Sequence, residues 1–324
     1  MSWTHRFRWM AFAAVTSLLA AACTGSSSTS SPAPAVRTGD PMIVAVGDIA
    51  CDPADPNFAE GQGTTNNCQQ QATSDVAVAA NPTAVLALGD TQYECGGTTA
   101  YGLSYDRSWG RLKSITHPVP GNQEYDTAGT DCTAGTAEGY FQYFGKAAGP
   151  QLAGWYSFEL GAWHVIALNA NCDAVGGCDR GSPQYAWLLK DLAGDRARCT
   201  LGFWHQPRFS SGSHNNDGQL DDAWKALYAA HADVVLNGHD HVYERFAPQD
   251  PNQQPTPAGI REFIVGSGGD DHGSFDSHAE PGSEVRDATT FGVLQMILHP
   301  TGYDWQFLPV AGGTFTDRGT ANCH

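Results

Sequence analysis

The sequence predicts a layered α/β domain with a mixed sheet, because short apolar runs alternate along the chain with helical patterns. Apolar runs of four to six residues bounded by turn residues are typical of buried strands. The 324 residues are 41% hydrophobic and 16% charged, which is enough apolar material for a large core. The predicted strands are residues 43–46, 85–88, 155–160, 164–168, 201–204, 234–236, 262–265, 293–298 and 303–310.

Three helices are predicted between these strands. Ser182 is a suitable N-cap, because its hydroxyl can accept a hydrogen bond from a free backbone N–H, and Pro183 after it suits a first helical position. Gly161 and Ala162 separate two of the strands, so we expect a hairpin there. The predicted helices are residues 74–80, 182–193 and 221–230.

The first forty residues have the composition of a targeting segment and a tether. Arg6 and Arg8 precede an apolar run over residues 9–19, which is too short to span a membrane and is typical of an export signal. Small residues then lead into Cys23, as in a bacterial lipobox, where the cysteine carries a lipid. We predict a signal peptide over 1–22, a Ser/Pro-rich tether over 23–40 and a catalytic domain over 41–324. A cell-surface lipoprotein is the preferred interpretation, and plain secretion with an incidental Cys23 is the alternative.

Cysteine usage also favours export. The chain has nine cysteines, and setting Cys23 aside leaves eight, an even number that argues for disulfides in an exported protein. None forms a C-x-x-C pair, which weakens a zinc-thiolate interpretation. The sequence alone does not fix their connectivity. The pairing we prefer joins Cys51 to Cys68, Cys95 to Cys132, Cys172 to Cys178, and Cys199 to Cys323.

The charge of the chain limits its partners. The formal net charge is -17, and a surface this acidic repels nucleic acids and anionic lipids. An anionic substrate would therefore need local positive charge, such as a bound metal ion. We expect no nucleic-acid partner, and contact with a membrane only through a lipid on Cys23.

Four of the predicted strands end directly in residues that can bind a metal. Ligands collect beyond the carboxyl ends of strands in α/β sheets, so these four ends are expected to converge. Each alone is weak evidence, because Gly-Asp after a strand is usually a turn and a lone histidine is more often solvated. The ordered set predicts a metal site. The segments are Gly47-Asp48, Gly89-Asp90-Thr91-Gln92-Tyr93, His205-Gln206-Pro207 and Asn237-Gly238-His239-Asp240-His241.

Five segments in order resemble the pattern of the calcineurin-like metallophosphoesterase superfamily, and within it the purple acid phosphatases. They read GDIAC, GDTQY, GNQEY, WHQPRFSSGSH and GHDHVYER, and they span Gly47 to Arg245. Asp48 is not followed by the histidine of the general D-x-H pattern, and Tyr93 follows Asp90 by three residues, as in the purple acid branch. The resemblance implies a four-layer α/β/β/α metallophosphoesterase sandwich with mixed sheets.

The resemblance also implies two metal ions held by seven side chains. Two carboxylates and a phenolate at the first site suit Fe(III), whereas imidazoles and a neutral amide at the second suit a divalent Zn, Mn or Fe. A hydroxide held by the two metals would attack the phosphorus of a phosphate monoester. The first site would take Asp48, Asp90, Tyr93 and His241, and the second Asp90, Asn122, His205 and His239, with Asp90 bridging.

Two further residues are expected to meet the substrate. His214, nine residues after His205, matches a pocket histidine of the family, and we expect substrate contact or general acid catalysis, or else an ordinary loop residue. Gln123 stands where the family has histidine, and it can donate a neutral hydrogen bond but cannot deliver a proton. We expect weaker stabilisation of the bound phosphate with Asn122 still able to bind metal. Alternatively, Gln123 marks a shift to a diester substrate.

Three functions remain open from the sequence. The preferred one is an exported phosphatase acting on small phosphate monoesters, and the second is a phosphodiesterase or nucleotide hydrolase. The third is a catalytically silent surface protein that keeps its metals for structure. Tyr243, Glu244 and Arg245 are expected to support the site, although Arg245 could equally form a structural salt bridge. Residues 266–272 are interpreted as a solvated turn in preference to a pocket edge.

Overall fold

A computed structural model describes residues 1–2, 39–132, 135–150 and 153–324 of the chain. Cys23 and nearly all of the predicted signal peptide and tether lie outside these residues. Ala35–His324 forms one compact unit. Within the described ranges, no helix combines the length and the apolar content needed to cross a membrane.

Two mixed β-sheets form the centre of the fold. The first has the strand order β13-β12-β11-β1-β2-β3, with β1, β2 and β3 parallel. The second has the order β10-β8-β9-β7-β6-β5-β4, with β5, β6, β7 and β9 parallel. The strands are β1 Met42–Val46, β2 Ala84–Leu88, β3 Thr116–Val119, β4 Tyr156–Leu160, β5 Trp163–Ala167, β6 Cys199–Phe203, β7 Val234–Asn237, β8 Tyr243–Phe246, β9 Arg261–Val265, β10 Ser283–Asp287, β11 Gly292–His299, β12 Gly302–Pro309 and β13 Arg318–Asn322.

Helices cover the outer faces of both sheets. Helix α1 packs on strands β11 and β12 of the first sheet and contacts α3. Helix α2 contacts both α3 and α4. Ser182 caps α5 by accepting a hydrogen bond from the backbone N–H of Tyr185 at 3.2 Å, as its sequence predicted. The helices are α1 Gln70–Ala80, α2 Thr98–Leu103, α3 Tyr105–Ser108, α4 Glu138–Phe144, α5 Pro183–Gly194 and α6 Asp221–Ala229.

The apolar core has two main parts that define the layers. One part joins Leu86 and Met296 of the first sheet to Phe203 of the second, and it continues to Tyr101 of α2 and Phe144 of α4. The other lies outside the second sheet, where Leu188 of α5 and Trp224 of α6 are buried. The predicted four-layer α/β/β/α sandwich with mixed sheets is confirmed, and each predicted strand and helix is present with small shifts of its ends.

Four disulfides close loops around this sandwich. They join Cys51 to Cys68, Cys95 to Cys132, Cys172 to Cys178, and Cys199 to Cys323, with Cα–Cα distances of 5.3, 5.6, 5.2 and 5.5 Å. The preferred pairing is therefore confirmed. Disulfides of this number are typical of proteins that fold in an oxidising compartment, which agrees with export.

A buried histidine joins the β4–β5 hairpin to α5. Nδ1 of His164 contacts the Glu159 carboxylate at 2.7 Å, and Nε2 contacts the Asp191 carboxylate at 2.7 Å. Burial would lower the pKa of His164, but the hydrogen bonds to Asp191 and Glu159 outweigh it and raise the pKa to about 9. An imidazolium ion between two carboxylates therefore stabilises this corner of the fold.

The His164 contacts predict a defined pH dependence of stability. Because the folded pKa lies above the ordinary value of 6.5, the stabilisation is fully present below pH 6.5 and is lost as the pH rises through about 9. We expect His164→Gln to lower the free energy of unfolding by about 1–3 kcal/mol near pH 6 and by much less near pH 10. Urea unfolding of both proteins at the two pH values measures this. An equal loss at both would contradict a charged His164.

Candidate metal centre

The predicted metal ligands follow the carboxyl ends of parallel strands in both sheets. Asp48 follows β1, Asp90 follows β2 and Asn122 follows β3, whereas His205 and His239 follow β6 and β7. The backbone N–H of Gly47 donates to the carbonyl of Val265 at 2.9 Å, which joins the ends of β1 and β9 across the sheets. The strand ends of both sheets thus meet at one edge of the sandwich.

Three of these residues have left-handed backbone conformations. Asp48 has φ 60°, Asp90 has φ 45° and His239 has φ 73°. A residue other than glycine in this region costs about 1–3 kcal/mol, and such strain clusters at functional sites. Gly238 precedes His239, and a Cβ at Gly238 would come within 2.6 Å of Oδ2 of Asp48, so only glycine allows this approach. The backbone is therefore strained at the residues whose side chains meet at this edge of the sandwich.

The first group of predicted ligands meets around the phenol of Tyr93. Its Oη lies 3.0 Å from Oδ1 of Asp48, 3.2 Å from Oδ2 of Asp90 and 2.9 Å from Nε2 of His241. Nε2 of His241 also lies 3.3 Å from Oδ1 of Asp48. The other three side chains of the first predicted site therefore each place a donor atom in contact with the phenol oxygen of Tyr93.

The second group shares Asp90 with the first. Oδ2 of Asp90 lies 3.0 Å from Nε2 of His205, which in turn lies 3.3 Å from Nδ1 of His239. Ligand atoms of these three residues all lie within 4.8 Å of one another. The Asp90 carboxylate is 2% exposed and touches both groups. Asp90 thus contacts both groups of predicted ligands.

Asn122, the remaining ligand predicted for the second site, lies on the loop after β3. Its neighbour Gln123 donates its backbone N–H to Oδ1 of Asp90 at 2.9 Å, which holds this loop against the bridging carboxylate. Oδ1 of Asn122 is buried and has no hydrogen-bond partner. A buried carbonyl oxygen without a partner costs free energy unless something binds it. A metal ion would satisfy this oxygen.

Two ligand histidines are oriented by bonds from the ring nitrogen that faces away from the group. Nδ1–H of His205 donates to the carbonyl of Leu88 at 2.8 Å, and Nδ1–H of His241 donates to the carboxylate of Asp271. Because Nδ1 is used in this bond, Nε2 of His205 faces Asp90 and Nε2 of His241 faces Asp48. A histidine fixed in this way by a carbonyl or carboxylate is typical of metal ligands in proteins.

Protons and charges at the site also suit a cation. Burial would lower the pKa of His205, but the Asp90 carboxylate outweighs it and raises that pKa to about 9. Burial and the neighbouring His205 lower the pKa of His239 to about 4. Burial, with the carboxylates of Asp48 and Asp90, raises the pKa of Tyr93 well above its usual range. Binding of metal at such groups releases protons and favours the ionised phenol.

The donor set fits two metal ions. The buried unpartnered oxygen of Asn122, the two oriented imidazoles and the shared Asp90 carboxylate are each explained by bound metal. Oxygen donors dominate the first group, and imidazole nitrogens with an amide oxygen dominate the second, which is the contrast expected for a harder and a softer ion. Six of the seven predicted ligands thus have donor atoms in contact with at least one other, and Asn122 lies on the loop held against Asp90.

The two residues expected to meet the substrate lie beside the ligands. The ring of His214 packs 4.5 Å from the ring of His239 between centroids, and its side chain is 51% exposed. Asp240 accepts the backbone N–H of His214 at 2.9 Å and lies 3.2 Å from its Nδ1. The hydrogen bond to Asp240 raises the pKa of His214. Gln123 has a buried side-chain oxygen with no partner.

Several supporting residues escaped the sequence-based prediction. Asp271 contacts His241, and the preceding segment 266–269 is buried, so the preference for a solvated turn over residues 266–272 was wrong. Asp240, between the two histidines of GHDH, supports His214. Glu124 accepts hydrogen bonds from the loop that carries Asp90. Motif spacing could have drawn attention to Glu124 and Asp240, which lie inside matched segments, whereas nothing local marks Asp271.

The last three residues of GHDHVYER have separate roles. Tyr243 and Arg245 both donate to Asp317, at 2.8 and 2.6 Å, and Arg245 also pairs with Glu284. Arg245 therefore forms the structural salt bridge that was the alternative interpretation. Glu244 accepts the backbone N–H and hydroxyl of Ser211 at 2.8 and 2.6 Å, which supports the loop leading to His214.

Sequence relatives point to one group of enzymes. The chain is 28% identical over 241 residues to purple acid phosphatase 15 of Arabidopsis thaliana, covering 65% of this chain and 44% of that protein. It is 33% identical over 153 residues to purple acid phosphatase 18 of the same plant, covering 44% of this chain and 34% of that protein. The alignments thus span less than half the length of these relatives. No family model matches the chain.

Solved structures share the fold. The purple acid phosphatase PPD1 from yellow lupin superposes with a TM-score of 0.64 at 17% identity, covering 88% of this chain and 54% of that one. PhoD superposes with a TM-score of 0.54 at 14% identity, covering 89% of this chain and 70% of that one. These likenesses confirm the resemblance indicated by the five segments: the chain has the calcineurin-like metallophosphoesterase fold and is similar in sequence to the purple acid phosphatase-like branch of that superfamily.

Proposed function

We propose that the chain is an exported metallophosphoesterase that hydrolyses small phosphate monoesters at a centre for two metal ions. The observation that carries this proposal is the position of the Asp90 carboxylate, which is buried and contacts both groups of ligands. Two sites that share one ligand would hold their ions close together, as a two-metal mechanism of phosphoryl transfer requires.

The residues of each group suggest which metals they would hold. The first would hold Fe(III) through Asp48, Asp90, Tyr93 and His241, and the second a divalent Zn, Mn or Fe through Asp90, Asn122, His205 and His239. When bound, the metals supply Lewis acidity and lower the pKa of water for attack on phosphorus. They also provide the local positive charge that a chain of net charge -17 needs to bind an anionic ester.

The side chains around the ligands would handle the substrate. His214 lies over the ligand histidines, and its bond to Asp240 favours the imidazolium form that can donate a proton to the departing alcohol. Gln123 would offer a neutral hydrogen bond to the phosphate, because its amide cannot carry charge or transfer a proton. Of these two residues, only His214 can therefore donate a proton.

The rates on two model esters test the proposed substrate class. We expect the metal-loaded protein to hydrolyse p-nitrophenyl phosphate faster than bis(p-nitrophenyl) phosphate. Gln123 supports the second candidate, a phosphodiesterase or nucleotide hydrolase, because a diester carries less charge for the site to balance. Faster hydrolysis of the bis ester would favour that candidate. No hydrolysis of either ester by metal-loaded protein would favour a catalytically silent metal-binding protein.

The role proposed for His214 predicts a dependence on the leaving group. His214→Ala should lower kcat/KM for an alkyl ester such as glycerol 2-phosphate by about 100-fold or more, because the alkoxide needs a proton. The loss for p-nitrophenyl phosphate should be much smaller, since nitrophenolate leaves without one. His231→Ala serves as a control, since His231 is exposed and precedes β7 at its amino end. Equal losses on both esters would indicate substrate contact without acid catalysis.

The proposal extends to the location of the protein. Eight cysteines in four disulfides support export, and the sequence before Cys23 supports a lipid anchor at that residue. Small phosphate esters outside the cell would then be the substrates, without nucleic acids as partners. We expect Cys23→Ser to release the enzyme from the membrane fraction. Retention of the variant in that fraction would contradict the lipid anchor, whereas parent protein free in the culture medium would favour plain secretion.

A further inference from the structure

We propose that the buried carboxylate of Glu124 is a positioning residue that sets the affinity of the centre for metal, chiefly at the second site. This inference rests on the proposed two-metal centre. Glu124 is 1% exposed and follows Gln123 in the GNQEY segment. Its carboxylate forms no hydrogen bond with the side chain of a predicted metal ligand. Instead, it bonds the backbone of two loops, one carrying Asp90 and the other carrying Asn122.

One oxygen of Glu124 fixes the loop after β2. Oε1 accepts the backbone N–H of Thr91 at 2.7 Å and the Thr91 hydroxyl at 2.8 Å. Longer contacts come from the backbone N–H of Gln92 at 3.3 Å and the hydroxyl of Tyr101 at 3.3 Å. Several donors on one buried carboxylate oxygen hold the backbone directly after Asp90 in a single conformation.

The other oxygen joins that loop to the loop after β3. Oε2 accepts the backbone N–H of Asp90 at 3.0 Å and that of Gly121 at 2.6 Å. The two loops lie so close that a Cβ on Gly121 would come within 2.0 Å of Oδ1 of Asp90. Asn122 follows Gly121 directly. A single carboxylate oxygen thus sets the distance between Asp90 and the loop that presents Asn122.

The two sites depend on Glu124 to different degrees. Of the four ligands at the second site, Asp90 and Asn122 are on loops that Glu124 holds, whereas His205 and His239 follow strands of the other sheet. At the first site, Asp90 and Tyr93 both lie on the loop after β2, but the backbone N–H of Tyr93 also donates to the carbonyl of Ala50 at 2.8 Å, so this loop has a support besides Glu124. Only the second site also depends on the spacing between two loops that Glu124 joins. Loss of the carboxylate should therefore weaken the second site more than the first.

Glu124→Gln tests this inference, because it keeps the shape of the side chain but puts an NH₂ group against backbone N–H donors. Zn²⁺ is titrated by calorimetry into metal-stripped parent and variant proteins. The same titration of Asn122→Ala shows which binding event belongs to the second site, because this variant should weaken only that event. We expect Glu124→Gln to weaken the same event by about 10–100-fold, the usual cost of removing a partner of a metal ligand, and the other event by less.

Asp233→Asn is the matched control. The Asp233 carboxylate is also buried and accepts backbone N–H groups, from Thr200 at 2.9 Å and His324 at 3.0 Å, but it lies at the amino ends of β6 and β7. We expect this control to lower the unfolding temperature of the metal-free protein and to leave Zn²⁺ affinity unchanged. The same behaviour in Glu124→Gln would overturn the inference, because it would show a merely structural role.

Two further outcomes keep the test decisive. If Glu124→Gln does not fold, Thr91→Val removes one of the bonds to Oε1 and keeps the backbone contacts. A drop of a few-fold in second-site affinity would then support the inference, and unchanged affinity would overturn it. If the parent protein binds no Zn²⁺, the proposed two-metal function itself fails, and the inference falls with it.

Discussion

Replacing Asp90 by asparagine is expected to lower kcat/KM for phosphate monoesters by about 100-fold or more and to lower the metal content of the purified protein. The Asp90 carboxylate contacts Tyr93 on one side and His205 on the other, so its charge serves both groups of ligands. Asparagine keeps the size of the side chain but removes that charge. Loss of a residue that only supports a ligand costs about 10–100-fold, so loss of a shared ligand should cost at least as much.

Asp75→Asn provides the control for this experiment. Asp75 also has a carboxylate, but it is exposed on α1 and pairs with Arg111 at 2.7 Å. An exposed pair of this kind contributes little to stability, so the control should keep its activity and its metals. Metal content by elemental analysis and hydrolysis of p-nitrophenyl phosphate should fall together in Asp90→Asn alone. Full activity and unchanged metal content in that variant would contradict a bridging role.

Replacing Gln123 by histidine is expected to raise kcat/KM for phosphate monoesters by about fivefold, with metal content unchanged. A hydrogen bond from a charged donor contributes about 1 kcal/mol more than a neutral one, which corresponds to that factor. The backbone N–H of Gln123 bonds to Asp90, so its side chain starts beside the ligands. Its buried oxygen has no partner that the substitution would disrupt.

The same variant separates the two explanations for Gln123. If glutamine is simply a weaker phosphate contact, histidine should improve hydrolysis of p-nitrophenyl phosphate. If glutamine marks a preference for diesters, histidine should shift the ratio of rates away from bis(p-nitrophenyl) phosphate. A rate on the monoester that is unchanged or lower, with normal metal content, would contradict the hypothesis that the missing positive charge limits the rate of monoester hydrolysis.

Most strands inside the sheets were predictable, and three of the four edge strands were not. The exception is the edge strand β4, which was predicted as one half of the hairpin around Gly161 and Ala162. The predicted strands are apolar runs because both of their faces are buried, as in β1, β2, β6 and β7. The missed strands β3, β13 and β10 lie at the edges of their sheets, and β8 lies beside β10. Edge strands pair on one side only and can be polar or hold a proline, such as Pro118 in β3. Their sequences therefore carry little periodic signal.

The candidate metal ligands could be picked out from the sequence because each lies in a short segment that follows a strand. The residues that support them could not, because their roles depend on loops that meet only in the folded chain. Asp271 reaches His241 across 30 residues of sequence, and Asp240 reaches His214 across 26. Both contacts join residues that are far apart in sequence and follow no repeating pattern. Glu124 lies inside the matched GNQEY segment, but only the folded structure shows that its carboxylate accepts hydrogen bonds from two loops.

Metal analysis of the purified protein, together with its visible spectrum, tests the two-metal centre most directly. We predict two metal ions per chain, one of them iron, and a visible charge-transfer band from the phenolate of Tyr93 bound to Fe(III). Tyr93→Phe should remove the band, because its ring cannot supply an oxygen ligand. A protein that is colourless, free of iron and yet active would contradict the purple-type assignment, and an active protein without bound metal would contradict the centre itself.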